Sequence, residues 1–443
     1  GAFLKTGALS DLLKGTAIQT KRDSNVNPKL WDNDDAPSFI TTKHLKITNH
    51  EIVDGKKYIL IKALWCEKLV FGKLYLSLPP KKKLDDLLSE SAFKTLNEKA
   101  PQGRTAYAKL QDLLSMASEI DYEKNIYEKV NKIEKLKNNT IEYKGFIDEP
   151  LKQTNDVVDA LFQLYKKEFT KFNDKKFATR ELNAIFLKLN VKGFFTEYTE
   201  SEFLEKYINK MPQIYKGDVA GFLKSAFDII WQLLYCIKIL NDNKIQHNDL
   251  HLKNIFVKTN PKRINYEDGN FNATLDSNQP RILLFDWDLS FSEEFQNDNL
   301  DEKKILCQYF GICNGLNAKL DSYRFVFSII ERILLPKSRT NFPSAVPYFE
   351  KACNTFFMSS ALKDQQAFKN KNVSNLFQSN TEVMRKHPDI VHFKYNPCNL
   401  YKDHCRPFPS TELQEPQILK PVGEVLEDFN KLYNGLYAKD FTP

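Results

Sequence analysis

Apolar and β-branched residues crowd the short run Tyr58-Ile59-Leu60-Ile61-Lys62-Ala63-Leu64, which reads as a buried strand opened by an Asp54-Gly55 turn. A second apolar stretch, Leu69 to Leu78, stops at Pro79-Pro80. From Leu84 to about Lys137 the spacing becomes helical, broken at Pro101 to Gly103, and Glu119 to Ile133 repeats apolar positions every three or four residues. The same period predicts a helix over 155–172, whereas Asn183 to Leu189 and Val191 to Tyr198 read as two strands. Ser201 to Asn209 is helical again, and Gly221 to Asn241 is long and apolar enough to be a central core helix. Farther on, a hairpin is expected to turn at Asp268-Gly269-Asn270, and the apolar strand Arg281 to Phe285 follows it. Before residue 55 the chain is polar and broken by Pro28 and Pro37; beyond about 340 it holds prolines and short amphipathic helices.

Strands and helices are thus mixed without a βαβ rhythm, and 443 residues exceed the usual size of one domain, so an α+β chain with two domains is predicted. A hydrophobic content of 42% with 33 Phe excludes a disordered chain. The formal charge of +7, from 64 basic and 57 acidic residues, is too diluted to name a partner. Lys81-Lys82-Lys83 lacks interleaved aromatics and reads as a solvated face, so nucleic acid is not indicated. No apolar run has the roughly 18 residues of a membrane span, and the start of the chain lacks a basic-then-apolar secretory pattern. Seven scattered cysteines predict reduced thiols and a cytoplasmic setting. Cys398, His404 and Cys405 cluster, but without a C-x-x-C pair they read as ordinary packing rather than zinc ligands.

The chemistry concentrates behind the core helix, in Ile245-Gln246-His247-Asn248-Asp249-Leu250-His251-Leu252-Lys253-Asn254-Ile255. Phosphoryl transfer needs a carboxylate to orient the attacking hydroxyl and oxygen ligands to hold a cation against the phosphates. Asp249 and Asn254 are spaced for those two roles, and the strand ending at Phe285 delivers another carboxylate, Asp286.

This loop resembles the protein-kinase motif H-R-D-L-x-x-x-N, and Asp286-Trp287-Asp288 resembles a variant of D-F-G. The resemblance covers roughly 55–335 and implies a bilobal α+β protein-kinase-like fold with insertions and a helical C-terminal lobe. It divides the chain into an N-terminal extension (1–54), a small lobe (55–199), a large lobe with the catalytic loop (200–340) and a helical extension (341–443). ATP with Mg2+ or Mn2+ would bind between the lobes. Asp249 would be the catalytic base, and Asn254 and Asp286 the metal ligands. Glu123, in a segment that resembles the αC helix, would position a phosphate-holding lysine. That lysine is Lys62 by its strand setting, since Ile59-Leu60-Ile61-Lys62 resembles V-A-I-K, or Lys109 by its spacing from Glu123. Gly193 to Thr199 resembles the hinge, with Thr196 bordering the adenine pocket and Glu197, Tyr198 and Thr199 offering backbone groups to the base. Asp321 resembles the aspartate that anchors the catalytic-loop backbone, although an ordinary helix N-cap also explains it.

Four departures qualify the pattern. A glycine-rich G-x-G-x-x-G and an A-P-E are absent, Asn248 replaces the motif's Arg, and His251 stands where a lysine is usual. Asn248 removes the usual partner of a phosphorylated activation segment. The H-N-D-L-H form and D-W-D are similar to divergent kinases, including those of large DNA viruses. The resemblance implies a Ser/Thr protein kinase acting on protein hydroxyls, in host cytoplasm or virion if viral. The alternatives are a small-molecule kinase and a pseudokinase acting as a scaffold.

Overall fold

The computed structural model describes residues 45–52, 58–98, 105–150, 161, 163, 184–306, 312–358 and 419–437, apart from isolated positions within those ranges. Apart from Leu161 and Gln163, the helix expected at 155–172 lies outside them, as does the Cys398, His404, Cys405 cluster. The architecture is α+β. It divides into two compact units, Gly1–Glu128 with Glu142–Glu200 and Lys129–Ile141 with Ser201–Pro443. One division falls between Glu200 and Ser201, and Lys129–Ile141 is grouped with the second unit.

The first unit is built on one antiparallel sheet of β1 (Leu45–Ile52), β2 (Ile59–Trp65), β3 (Lys68–Ser77), β4 (Tyr143–Pro150) and β5 (Asn190–Glu197), in the order β1-β2-β3-β5-β4. Cys66 and Glu67 join β2 to β3 with φ of 49° and 64°, the left-handed backbone of a two-residue hairpin turn. One sheet face carries Ile59, Ile61, Ala63, Val70, Leu74, Val191 and Phe195. These pack with Leu96 from α1 (Glu90–Asn97) and with Leu110, Leu113 and Leu114 from α2 (Ala106–Ser115). The alternate residues Leu60, Lys62, Phe71, Lys73 and Thr196 share the other face, as the pairings Leu60↔Lys73, Lys62↔Phe71 and Phe71↔Thr196 require. Close strand approach depends on Gly193, where a Cβ would run into the Lys73 carbonyl.

The stretch Asn183 to Leu189, expected as a strand, instead contains a helical turn at 184–186. Its buried residues Ile185, Phe186 and Leu189 follow i, i+1, i+4 spacing, which is a helical stripe and not a pleat. The helix expected around Glu123 is α3 (Ser118–Asn131).

The second unit surrounds α5 (Val219–Asp242), the predicted core helix, which follows α4 (Leu204–Ile214) and begins at an Asp218 cap that accepts the Gly221 N–H at 2.8 Å. Three short sheets flank it: β11 (Pro280–Leu284) with β8 (Ile255–Thr259) and β6 (Glu202–Phe203); β9 (Ile264–Asp268) with β10 (Phe271–Leu275); and β7 (Ile245–Gln246) with β12 (Phe291–Ser292). The β9–β10 hairpin turns at Gly269, φ 59°, as expected. Asn139 ties Lys129–Ile141 to this unit, donating its Nδ2 to Gln232 Oε1 at 3.1 Å and to the Ile282 carbonyl at 3.0 Å. Wide-turned helical segments Ser322–Phe327 and Ile330–Leu334 run into α6 (Leu335–Asn341), and α7 (Val346–Asn354) follows. Among the described residues no helix is long and apolar enough to cross a membrane. Cys313 is disulfide-bonded, which corrects the expectation of reduced thiols throughout; scattered spacing does not reveal which thiols meet in space.

The C-terminal helix α8 (Val422–Leu436) closes over α5 through polar as well as apolar contacts. Asn430 accepts the Trp231 indole N–H at 3.0 Å, and the Tyr433 and Tyr437 hydroxyls both donate to Asp228 Oδ1. Burial raises the Asp228 carboxyl to about 7, only partly offset by those hydroxyls. Its folded value lies above the unfolded one, so its contribution is fully present below about pH 4 and is lost as pH rises through about 7. Asp228→Asn keeps the acceptor and removes the charge. Urea unfolding at pH 5 and pH 8.5 should therefore show a stability loss in the wild type, on the order of 3 kcal/mol, that the variant lacks. Equal pH slopes would count against this assignment.

Candidate active site

The site in the second unit starts from a strained loop. The chain leaves β7, turns through Asn248 at φ 68°, presents Asp249 and reaches Asn254 just before β8. β11, paired to β8 through Leu284↔Ile255, delivers Phe285 and then Asp286, which also has a left-handed backbone at φ 65°. Two non-glycine residues in this conformation, each beside or at a candidate functional carboxylate, are a local cost that the surroundings must enforce.

Asp321 does the enforcing on one side. Its buried carboxylate accepts the backbone N–H of His247 at 2.9 Å and that of Asn248 at 3.1 Å. Asp321 itself has helical φ and ψ and caps nothing through its side chain, so the anchor reading stands and the N-cap reading falls. Burial pushes its carboxyl up to about 6, against the pull of those two amides and of Arg324.

His247 braces the other side. Its Nε2 lies 2.9 Å from the Phe285 carbonyl, which can only accept, so Nε2 carries the proton. Nδ1 is then the acceptor for the Asp249 N–H at 3.3 Å. Burial lowers the imidazole to about 4, which keeps it neutral and preserves that tautomer. Asn248 Nδ2 donates to the Leu289 carbonyl at 3.0 Å, linking the loop to the segment that follows Asp286.

That segment is itself tied down. Trp287 is fully buried with its ring against His247, and Asn297 Nδ2 donates to the carbonyls of Asp288 and Ser290, each at 2.9 Å.

Within this frame the oxygens converge. Asp249, Asp286 and Asp288 each offer a carboxylate oxygen, all within 4.8 Å of one another. Asn254 Nδ2 donates to the Asp249 carbonyl at 2.9 Å and to Asp249 Oδ2 at 3.0 Å. A carbonyl only accepts, so the orientation of the Asn254 amide is fixed, and its Oδ1 is left buried with no hydrogen-bond partner. A buried amide oxygen without a donor is costly unless something electropositive meets it. This set of hard oxygen donors, with no sulfur or nitrogen, fits Mg2+ or Mn2+. His251 Nδ1 accepts the Lys253 N–H at 3.2 Å, which leaves its Nε2 directed toward Asp249 Oδ2 at 3.7 Å.

In the first unit Glu123 has a different partner from either lysine expected. Lys73 Nζ, from β3, meets Glu123 Oε2 at 2.8 Å, and both side chains are buried. Lys62 instead places its ammonium 4.1 Å from the centre of the Tyr198 ring. Lys109 sits in α2, on a helix and not on a strand. At the expected hinge, Thr196 is buried near the end of β5. The Glu197 N–H is spent on the Glu142 carbonyl at 2.8 Å and that of Tyr198 on the Leu69 carbonyl at 3.3 Å, so neither serves as a donor to a base. Thr199 follows directly after this strand end.

Of the residues expected from the sequence, the structure brings Asp249, Asn254 and Asp286 together with Asp321 behind the loop, and pairs Glu123 with Lys73; Lys73, Asn297 and the place of Asp288 in the oxygen cluster were not singled out. The D-W-D spelling was the available signal for a third carboxylate. The chain matches no family model and none of the curated proteins with which it was compared.

Proposed function

We propose that this chain is a divalent-cation-dependent phosphotransferase that uses ATP. Within that class, the reading we favour is a Ser/Thr protein kinase that moves the γ-phosphate to a protein hydroxyl. The observation that carries the proposal is the clustering of the Asp249, Asp286 and Asp288 carboxylate oxygens, with Asn254 bonded to Asp249 through its Nδ2 and Asp249 on a loop held by Asp321. The buried Lys73–Glu123 pair adds support, because a strand lysine held by a helix glutamate is the arrangement that positions α- and β-phosphates in kinases.

In this reading Lys73 holds phosphate oxygens, and Glu123 fixes the ammonium in place. Asp286 and Asn254 Oδ1 would hold the cation, which when bound neutralises charge on the phosphates. Asp249 orients the acceptor hydroxyl and takes its proton. The hydroxyl oxygen bonds to the γ-phosphorus as the bond to the β–γ bridging oxygen breaks, and ADP leaves with that electron pair. His251 favours a second reading, transfer to a small alcohol, because it stands where protein kinases usually carry lysine.

Purified chain incubated with γ-labelled ATP and Mg2+ should label Ser or Thr of generic protein substrates. Label appearing only on members of a panel of small alcohols would transfer the proposal to the second reading. Absence of ATP turnover in either format would leave a binding protein and overturn both.

A further inference from the structure

Resting on the phosphotransferase reading, we infer that the cation site is complete before nucleotide arrives: Asp286, Asp288 and Asn254 Oδ1, beside Asp249, bind a divalent cation on the free protein. Asp288 is the residue that makes this so. A Mg2+-type cation keeps several waters and is ordinarily held by one or two carboxylates together with substrate phosphates, so its binding depends on the nucleotide. The position taken here by Asp288 is glycine in the D-F-G pattern, which offers no side-chain oxygen.

The geometry commits Asp288 to the site. Its carboxylate oxygen lies within 4.8 Å of those of Asp249 and Asp286, close enough for one ion to draw them together. Its backbone cannot turn away easily, since its carbonyl is held by Asn297 and its neighbour Trp287 is fully buried. The buried Asn254 oxygen is an independent sign of a ligand, because nothing in the protein satisfies it. Three carboxylates also repel one another at this separation, and a divalent ion offsets that repulsion more completely than water does.

Cation and nucleotide would then bind in sequence, the cation first.

Manganese titration followed by electron paramagnetic resonance tests this on the full chain without nucleotide. One tightly bound Mn2+ per chain is expected, and Asp288→Asn should weaken that binding tenfold or more. Circular dichroism would verify the fold of the variant, and the wild-type titration stands even if the variant does not fold. Failure of the wild type to bind Mn2+ without nucleotide overturns the inference, as does an unchanged affinity in a folded Asp288→Asn. Repeating the titration with ATP separates the two claims. Mn2+ that binds only with ATP sinks this inference and leaves the phosphotransferase reading standing; Mn2+ that binds alone, with no ATP binding at any cation level, does the reverse.

Discussion

Under the proposed reading, Asp249→Ala should lower turnover by a hundredfold or more at saturating cation and ATP, because it removes the carboxylate that takes the acceptor's proton. The loss is expected in kcat, with the KM for ATP little changed. The loop itself should survive the substitution. Asp321 holds the N–H groups of His247 and Asn248, and Asn254 Nδ2 still reaches the residue 249 carbonyl, a bond that needs no side chain. A fold defect would therefore not be the natural explanation of a dead variant, and thermal unfolding of the same protein would check this. Near-normal turnover would refute the assignment of Asp249 as base.

Lys73→Met should abolish measurable nucleotide use, whereas Lys62→Met should leave it within about tenfold of wild type. The contrast follows from what each ammonium touches. Lys73 is in a buried ion pair, and removing one member leaves Glu123 buried and uncompensated at a cost of roughly 3–5 kcal/mol. Lys62 loses a cation–aromatic contact worth about 0.5–2 kcal/mol. Since Lys73→Met threatens the fold as well as the chemistry, the double variant Lys73→Met, Glu123→Leu is the deciding protein. It should regain most of the lost stability, as apolar replacement of a buried pair usually does, yet remain unable to use ATP. Restored turnover in the double variant would mean that the pair is structural.

These two residues also mark where the sequence stopped being readable. Strand propensity and a motif-like spelling pointed to Lys62, whose strand was located within a residue, while Leu69 to Leu78 read only as an apolar stretch. The choice between lysines depends on which strand lies beside the helix that carries Glu123, and that is a matter of sheet order, not of local composition. Lys62 and Lys73 share one face of the sheet, so alternation alone cannot separate them. By contrast, the catalytic loop was legible because its spacing is local: Asp249 and Asn254 are joined by one short turn and bond to each other directly. Asp286 was legible as the end of an apolar strand. D-W-D hinted at Asp288, two residues on, but whether it shares the oxygen cluster depends on how the backbone turns where the strand ends, and the left-handed conformation at Asp286 is not legible in local composition. Asn183 to Leu189 failed for a different reason, since a short apolar run fits a strand and a helical turn equally until its neighbours are known.

In many enzymes of the proposed class, the stretch after the metal-binding aspartate is a switch thrown by adding a phosphate to it. Here an uncharged carboxamide fastens the carbonyls of Asp288 and Ser290, and a second one, on Asn248, fastens that of Leu289. Neutral fasteners do not respond to a phosphatase, and they are little affected by salt. Under the proposed reading, such a protein would leave the ribosome already armed, and its output would be governed by how much of it is made and by what it meets.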